Sequence, residues 1–247
     1  MLWLSLFLKN ILLFRVMNAI VTGATRGIGR AITIKLAEAG YHLAICARSK
    51  TDLAALASEL AYTGVKVFCY ATDLSLKDEI YRFADEVGTA FDTIDVLVNN
   101  AGLFLPGLLM QEEDNSFEQQ LFVNLNAPYY LAKHFGKTMS EQGYGHIFSI
   151  CSVSSKEFKE NGGSYGVTKS ALLSLNNVLR QELSKYNVKV TAILPGETLT
   201  SSWEGTNIPP ASFVQPEDIA NALYTILNLS SGVNVEEIIL KPLNFNV

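Results

Sequence analysis

The chain has 247 residues and a formal net charge of −5, a length that suits one sizeable α/β domain, though two small ones would also fit it. No basic run stands out, which argues against a nucleic-acid partner. Cys46, Cys69 and Cys151 fall at or near the ends of apolar runs without ligand spacing; they read as buried free thiols in a reducing cytoplasm, with no metal site.

Residues 1–16, MLWLSLFLKNILLFRV, are apolar but interrupted by Lys9 and Arg15. They are too short for a membrane span and lack the basic start and small-residue cleavage site of a signal peptide. They read as an extension outside the fold, which then occupies residues 17–247; a membrane-associating helix is the alternative.

A short strand over Asn18–Thr22 runs into TGATRGIGR. Gly23, Gly27 and Gly29 sit where a strand turns into a helix, a place where missing β-carbons permit a tight turn and close approach to a pyrophosphate. The helix reaches about Ala39 and ends at Gly40. A strand follows at Tyr41–Ala47, a helix near Asp52–Tyr62, a strand at Val65–Ala71, a helix over Lys77–Phe91 and a strand at Asp95–Val98 leading into Asn99-Asn100-Ala101-Gly102. A long helix is expected over Ser116–Met139, with a kink or break near Pro128. Strand His146–Cys151, helix Ser164–Lys185 and strand Lys189–Leu194 come next. Leu172, Leu175, Leu179 and Leu183 make an apolar stripe that Val167, Ala171 and Val178 widen. Residues 197–215 read as a lid or loop, Pro216 starts a helix ending near Leu227, and Glu236–Leu240 is the last strand. Alternating helices and uniformly apolar strands imply a parallel sheet covered on both faces. Gly23, Asp73, Asn100 and Ser152 all fall at carboxyl ends of strands, where such sheets hold ligands.

Tyr165 and Lys169 are four positions apart, so a helix of about 3.6 residues per turn stacks them on one face. An ammonium beside a phenol favours the phenolate, which makes Tyr165 a candidate proton donor and acceptor. Ser152, at a strand end thirteen positions earlier, can bring its hydroxyl to the same substrate oxygen.

Taken together, TGATRGIG, Asp73 after the third strand, NNAG at 99–102, Asn124, Ser152, YGVTK at 165–169 and Pro195-Gly196 resemble the short-chain dehydrogenase/reductase family from Asn18 to about Pro242. The resemblance implies a single Rossmann-type, doubly wound parallel sheet of about seven strands in the order 3-2-1-4-5-6-7, with helices on both faces. It implies that Tyr165 is the general acid of carbonyl reduction and the base of alcohol oxidation. Lys169 would tune it and bind the nicotinamide ribose, Ser152 would hold the reacting oxygen, and Asn124 would hold a relay water. The cofactor would be met by Gly23, Thr25, Arg26, Gly27, Ile28 and Gly29 at the glycine turn, by Asp73 and Leu74, by Asn100, Ala101 and Gly102, and by Pro195, Gly196, Thr198 and Thr200. Within that set the three glycines would approach the pyrophosphate, Asp73 would meet the adenine, Asn100 would line the adenosine, and Thr198 and Thr200 would bound the nicotinamide amide. The ending VEEIILKP at 235–242 replaces the Gly-rich segment of many members and leans towards sepiapterin reductases and 3-hydroxy-acid dehydrogenases.

Strand two ends at Ala47 and Arg48, where NAD-preferring enzymes carry an acidic residue, and Arg26 lies nearby. Two guanidiniums can clasp a 2′-phosphate, so the expected cofactor is NADP(H). Leu103, Phe104, Phe158 and Trp203 are expected to wall a cleft for a compact ketone. Near that cleft the charges of Lys156 and Lys159 are cancelled by Glu157 and Glu160, which does not suit an acidic carrier protein. A 3-oxoacyl-(acyl-carrier-protein) reductase is the alternative activity, and a cofactor-bound sensor the non-catalytic one. The two long helices carry spare apolar surface, and the family resemblance implies that they pair in a homodimer or homotetramer.

Overall fold

The computed structural model describes residues 16–158 and 161–245. The proposed N-terminal extension, apart from Val16, and the charges expected at Lys159 and Glu160 lie outside the described residues. The strands are β1 (Asn18–Thr22), β2 (His42–Ala47), β3 (Val67–Ala71), β4 (Val96–Asn99), β5 (Gly145–Ile150), β6 (Val188–Pro195) and β7 (Glu237–Leu240). They form one parallel sheet in the order β3-β2-β1-β4-β5-β6-β7, as the sequence implies. The main helices are α1 (Gly27–Glu38), α2 (Lys50–Glu59), α3 (Lys77–Ala90), α4 (Asp114–Leu121), α5 (Ala127–Gln142), α6 (Gly163–Leu183) and α7 (Pro216–Leu227).

Neighbouring residues of each strand point to opposite faces, so an uninterrupted apolar run buries both. Val21 packs with Ile32 and Leu36 of α1, Leu53 of α2 and Ile219 and Leu223 of α7. Ile20, one residue earlier, packs with Phe83 of α3 and Phe135 of α5 on the other face. A fully buried side chain of this size stabilises by about 1.5–3 kcal/mol. Thr22 lies opposite Cys46, Asn99 opposite Ser149, and Pro195 opposite Leu240, so the carboxyl ends of the strands line one edge. The crossover direction reverses between β1 and β4, opening a crevice at that edge.

Three expectations need correction. The long helix is not a simple kinked α-helix: α4 and α5 are joined by a π-helical segment, Phe122–Asn126. Pro128 has no N–H to give the carbonyl of Asn124 four residues back, and the amide of Ala127 instead reaches five residues back to Phe122. The missing donor favours the wider turn just before the proline. Val167 and Val178 do not widen the buried stripe of α6; they are about half exposed, and Leu173 is buried in their place. Cys69 is only partly buried, its thiol facing the carbonyl of Leu53, whereas Cys46 and Cys151 are buried as expected. No helix among the described residues is long and apolar enough to cross a membrane.

Candidate active site

The turn between β1 and α1 is built for close approach. Gly23 and Gly27 have φ of 64° and 49°, a region that side chains disfavour. A β-carbon on Gly29 would fall 2.2 Å from the Gly23 carbonyl oxygen and 2.3 Å from Asn100 Nδ2. Arg26, at the N-cap of α1, gives no side-chain cap, and the first turn carries no acidic residue. The orphan amides there suit an anion. Asn100 fastens this turn, donating from Nδ2 to the carbonyls of Thr22 (2.8 Å) and Gly23 (3.2 Å). The hydroxyl of Thr22 accepts from the amides of Asn100 and Ala101, each at 3.0 Å. A cleft of about 580 Å³ separates the turn from the 197–215 loop, lined by Thr25, Arg26, Gly27, Thr200, Ser201 and Glu204 among others. Ile28 is half-buried against the core beneath.

At the outer end of the crevice, Arg26 pairs with Asp52 at 3.1 Å, the guanidinium remaining 75% exposed. Asp73 accepts from the amide (2.9 Å) and hydroxyl (2.7 Å) of Ser75. Partial burial opposes its ionisation, but these bonds and the Arg48 charge outweigh burial and hold the carboxyl below its usual range. Leu74 is buried beside it. Gly196 is pressed against the chain after β7, its amide donating to Leu240 at 2.7 Å. Thr198 is buried with its hydroxyl on the Gly196 carbonyl at 3.0 Å. The methyl of Thr200 lies 3.0 Å from where a Gly27 β-carbon would stand.

The four candidate catalytic residues come from three elements. Asn124, fully buried in the π segment, accepts at Oδ1 from the Leu103 amide (2.8 Å) and donates at Nδ2 to the Leu103 carbonyl (2.9 Å) and Thr168 Oγ1 (3.0 Å). Lys169, 3% exposed, donates from Nζ to the Ile150 carbonyl at 2.8 Å. Its ammonium lies 5.8 Å from the centre of the Tyr165 ring. A β-carbon on Gly102 would stand 3.5 Å from both Asn124 Oδ1 and Lys169 Nζ, so the two side chains converge on one point. Ser152 caps the short 3-10 turn Val153–Ser155 by accepting from the Ser154 amide at 3.1 Å. That turn is tied to α6: Ser155 donates its hydroxyl to the Lys169 carbonyl, and Ser170 donates to the Ser155 carbonyl, each at 2.9 Å. The strand end carrying Ser152 is thereby fixed against the helix carrying Tyr165 and Lys169.

The apolar candidates divide. The Phe104 ring meets Tyr165 edge-on at 4.9 Å. Phe158 is exposed but faces the Gly166 backbone in the same helical turn. Leu103 is held through its backbone by Asn124. Trp203 packs instead into a cluster with Phe213 (5.2 Å) and Phe245 (5.6 Å). Lys156 is paired with Glu237, and Lys241 with Glu157. The charges at this rim are thus cancelled, partly by residues of the C-terminal segment. Thr22, Thr168 and Ser155 carry no signal in the sequence, because each acts on a partner far along the chain or through a hydroxyl with no spacing signature.

A sequence model of the family described as short chain dehydrogenase matches residues 17–209. An uncharacterised oxidoreductase of Staphylococcus aureus strain MRSA252 is 34% identical over 224 residues, covering 91% of this chain and 96% of its own length. Among solved structures, an alcohol dehydrogenase from the archaeon Thermococcus sibiricus complexed with 5-hydroxy-NADP matches with a TM-score of 0.87 at 31% identity, covering 94% of this chain and 99% of that one. L-sorbose reductase from Gluconobacter frateurii, complexed with NADPH and L-sorbose, matches with a TM-score of 0.86 at 26% identity, covering 92% and 95%.

Proposed function

The chain belongs to the short-chain dehydrogenase/reductase family of oxidoreductases, and on that premise we propose that it is an NADP(H)-dependent reductase of a small ketone with Tyr165 as its general acid. The observation that carries this reading is the convergence of Lys169 and Asn124 on Gly102, with Tyr165 on the same helix and Ser152 tied beside them. A dinucleotide fits the crevice: the glycine turn leaves amides for a diphosphate, and Arg26 and Arg48 suit a 2′-phosphate. The Arg26 side chain is 75% exposed, so little is lost when its guanidinium turns from the partly buried Asp52 to a phosphate. The NADP-type cofactors of the archaeal dehydrogenase and the sorbose reductase support the same choice.

The bound dinucleotide supplies the hydride that reduces the carbonyl carbon. Ser152 donates its hydroxyl to the carbonyl oxygen, and Tyr165 gives the proton that oxygen takes up as it becomes an alcohol. The Lys169 ammonium, held by the Ile150 carbonyl, stabilises the phenolate left behind. Asn124 keeps the Gly102–Leu103 backbone beside that ammonium, where a relay water returns the proton. Alcohol oxidation runs the same path with Tyr165 as base. Phe104, Phe158 and Leu103 favour a compact ketone with an apolar flank, and the paired charges of Lys156 and Lys241 offer no free basic rim to an acidic carrier. The enzyme acts in the cytoplasm as a homodimer or homotetramer.

The test is NADPH oxidation across pterin side-chain ketones, diacetyl, 3-oxo acids and 3-oxoacyl thioesters, with NADH in parallel. Small ketones with NADPH should give the highest kcat/KM, and Arg48→Asp should erase the NADPH preference. Tyr165→Phe should lose about 10²–10⁴ in kcat while still binding NADPH. Thioesters leading by a wide margin would replace the substrate reading with the carrier-protein one. Full turnover by Tyr165→Phe would end the proton-donor assignment.

A further inference from the structure

The loop between β4 and α4 does more than wall the cleft. At Gly107 it pairs in parallel with Gly162, the Gly107 amide donating to the Asn161 carbonyl at 3.2 Å. Five residues later, Glu112 Oε1 accepts from the Ser164 amide at 2.7 Å. Ser164 lies in the first turn of α6 and precedes Tyr165. Its N-cap, Gly162, gives no side-chain cap, so a carboxylate 52 positions away fills a role normally taken by the N-cap residue itself. The negative charge also suits the positive end of the helix.

Two independent features mark this contact as built. Gly163 has φ of 39°, and a β-carbon there would stand 1.7 Å from Glu112 Oε1, so only glycine leaves room for the carboxylate. Gln120, fully buried in α4, donates from Nε2 to Ser164 Oγ at 2.7 Å and accepts from the Leu105 amide at 3.1 Å. The same serine is therefore held through its backbone by Glu112 and through its side chain by Gln120, and both ties lead into the 103–112 loop. That loop also carries Phe104, packed on the Tyr165 ring, and Leu103, bonded to Asn124.

We propose that Glu112 is a positioning residue that, with Gln120, fixes the first turn of α6 and so aims the Tyr165 hydroxyl at the substrate oxygen. This rests on the assignment of Tyr165 as proton donor. A small displacement of a reacting group costs about 10- to 100-fold in rate, and that is the expected loss of kcat in Glu112→Ala at unchanged NADPH affinity.

The experiment compares Glu112→Ala, Glu112→Gln and Glu112→Asp, using the ketone of the panel that wild type reduces fastest and counting only protein that binds NADPH. Glutamine keeps the accepting oxygen at the same reach without the charge; aspartate keeps the charge but is one methylene short. Positioning through the bond predicts that glutamine rescues most of the loss, that aspartate resembles alanine, and that amide exchange over residues 163–166 quickens in the alanine and aspartate variants. Rescue by aspartate but not glutamine would make the effect one of charge and overturn the proposal. Normal kcat in Glu112→Ala with only a lowered Tm would reduce the contact to a stabilising cap and overturn it equally. If Glu112→Ala does not fold, the glutamine–aspartate pair and the exchange of their first-turn amides decide alone. Tyr165→Phe run alongside separates the two questions: its full activity defeats the proton-donor reading, whereas its loss beside an unaffected Glu112→Asp defeats only the positioning role.

Discussion

His146 shows how much one side chain's chemistry depends on what surrounds it. The ring is buried in β5, stacked on Phe148 at 4.0 Å, with Nε2 2.8 Å from Thr191 Oγ1. That hydroxyl gives its own proton to the Val235 carbonyl at 2.6 Å, so His146 must be the donor and is the neutral Nε2–H tautomer. Burial, and then the Lys189 charge, push its pKa down from 6.5 to about 3. The unfolded chain therefore binds a proton that the folded chain refuses between those values. The resulting stability is fully present above pH 6.5 and is lost as pH falls towards 3, by at most about 1.4 kcal/mol per unit. Urea unfolding at pH 7 and pH 5 should show wild type losing about 2 kcal/mol more than His146→Gln; equal losses would mean that His146 accepts its proton without unfolding. Nothing in the sequence around His146 announces this, because Thr191 and Val235 are reached only through the sheet. That Tyr165 and Lys169 share one helix and that Ser152 stands at a strand end was legible, because helix spacing and a strand end are local facts. Glu112 was not, since its meaning depends on a contact with Ser164 and on the space left by Gly163.

Among the elements, strands and helices were legible to within a few residues: β1 and α7 have the expected bounds, and α6 starts one residue before and ends two before those read from its apolar spacing. The π segment was only half legible. Pro128 announced an irregularity, but not that it would be taken up over Phe122–Asn126, because that choice depends on Asn124 finding Leu103 and Thr168. The 197–215 loop was least legible, since its order comes from elsewhere. Its Trp203 and Phe213 pack with Phe245 from the C-terminal segment, the two phenylalanine rings 5.3 Å apart. The same loop sets Thr200 against the glycine turn. The C-terminal ring thus steadies the wall of the cleft beside the glycine turn, where the proposed NADPH would lie. Aromatic pairs contribute about 0.5–1.5 kcal/mol beyond their burial, so Phe245→Ala should weaken NADPH binding by roughly 2- to 10-fold. Nicotinamide fluorescence titration measures this directly, and an unchanged Kd would show that the loop keeps its place without the tail.

For the whole molecule, the apolar surface left on the long helices has to be accounted for. Val167, Ala171, Ser174 and Val178 recur at helix spacing along α6, and Val167 and Val178 are 46% and 51% exposed. Phe117 of α4 and Tyr129 of α5 are also exposed, at 40% and 43%. Small side chains along a helix allow close approach of another backbone. A two-fold axis across the valine face of α6 would set that stripe against its own copy, giving an isologous contact in which each subunit's exposed valines are covered by the other's. With 21 residues, α6 spans about 30 Å, long enough for its pairing to contribute much of the roughly 1,200–2,000 Å² typical of a stable interface. The face of α6 that carries Lys169, buried towards Ile150, points inward, so assembly would brace the helix from behind without closing the cleft. Light scattering at micromolar concentration should therefore report a dimer or tetramer, and Val178→Lys should shift it towards monomer by forcing an ammonium into the contact. A monomeric wild type would refute the assembly, whereas an oligomeric Val178→Lys protein would move the interface to another face.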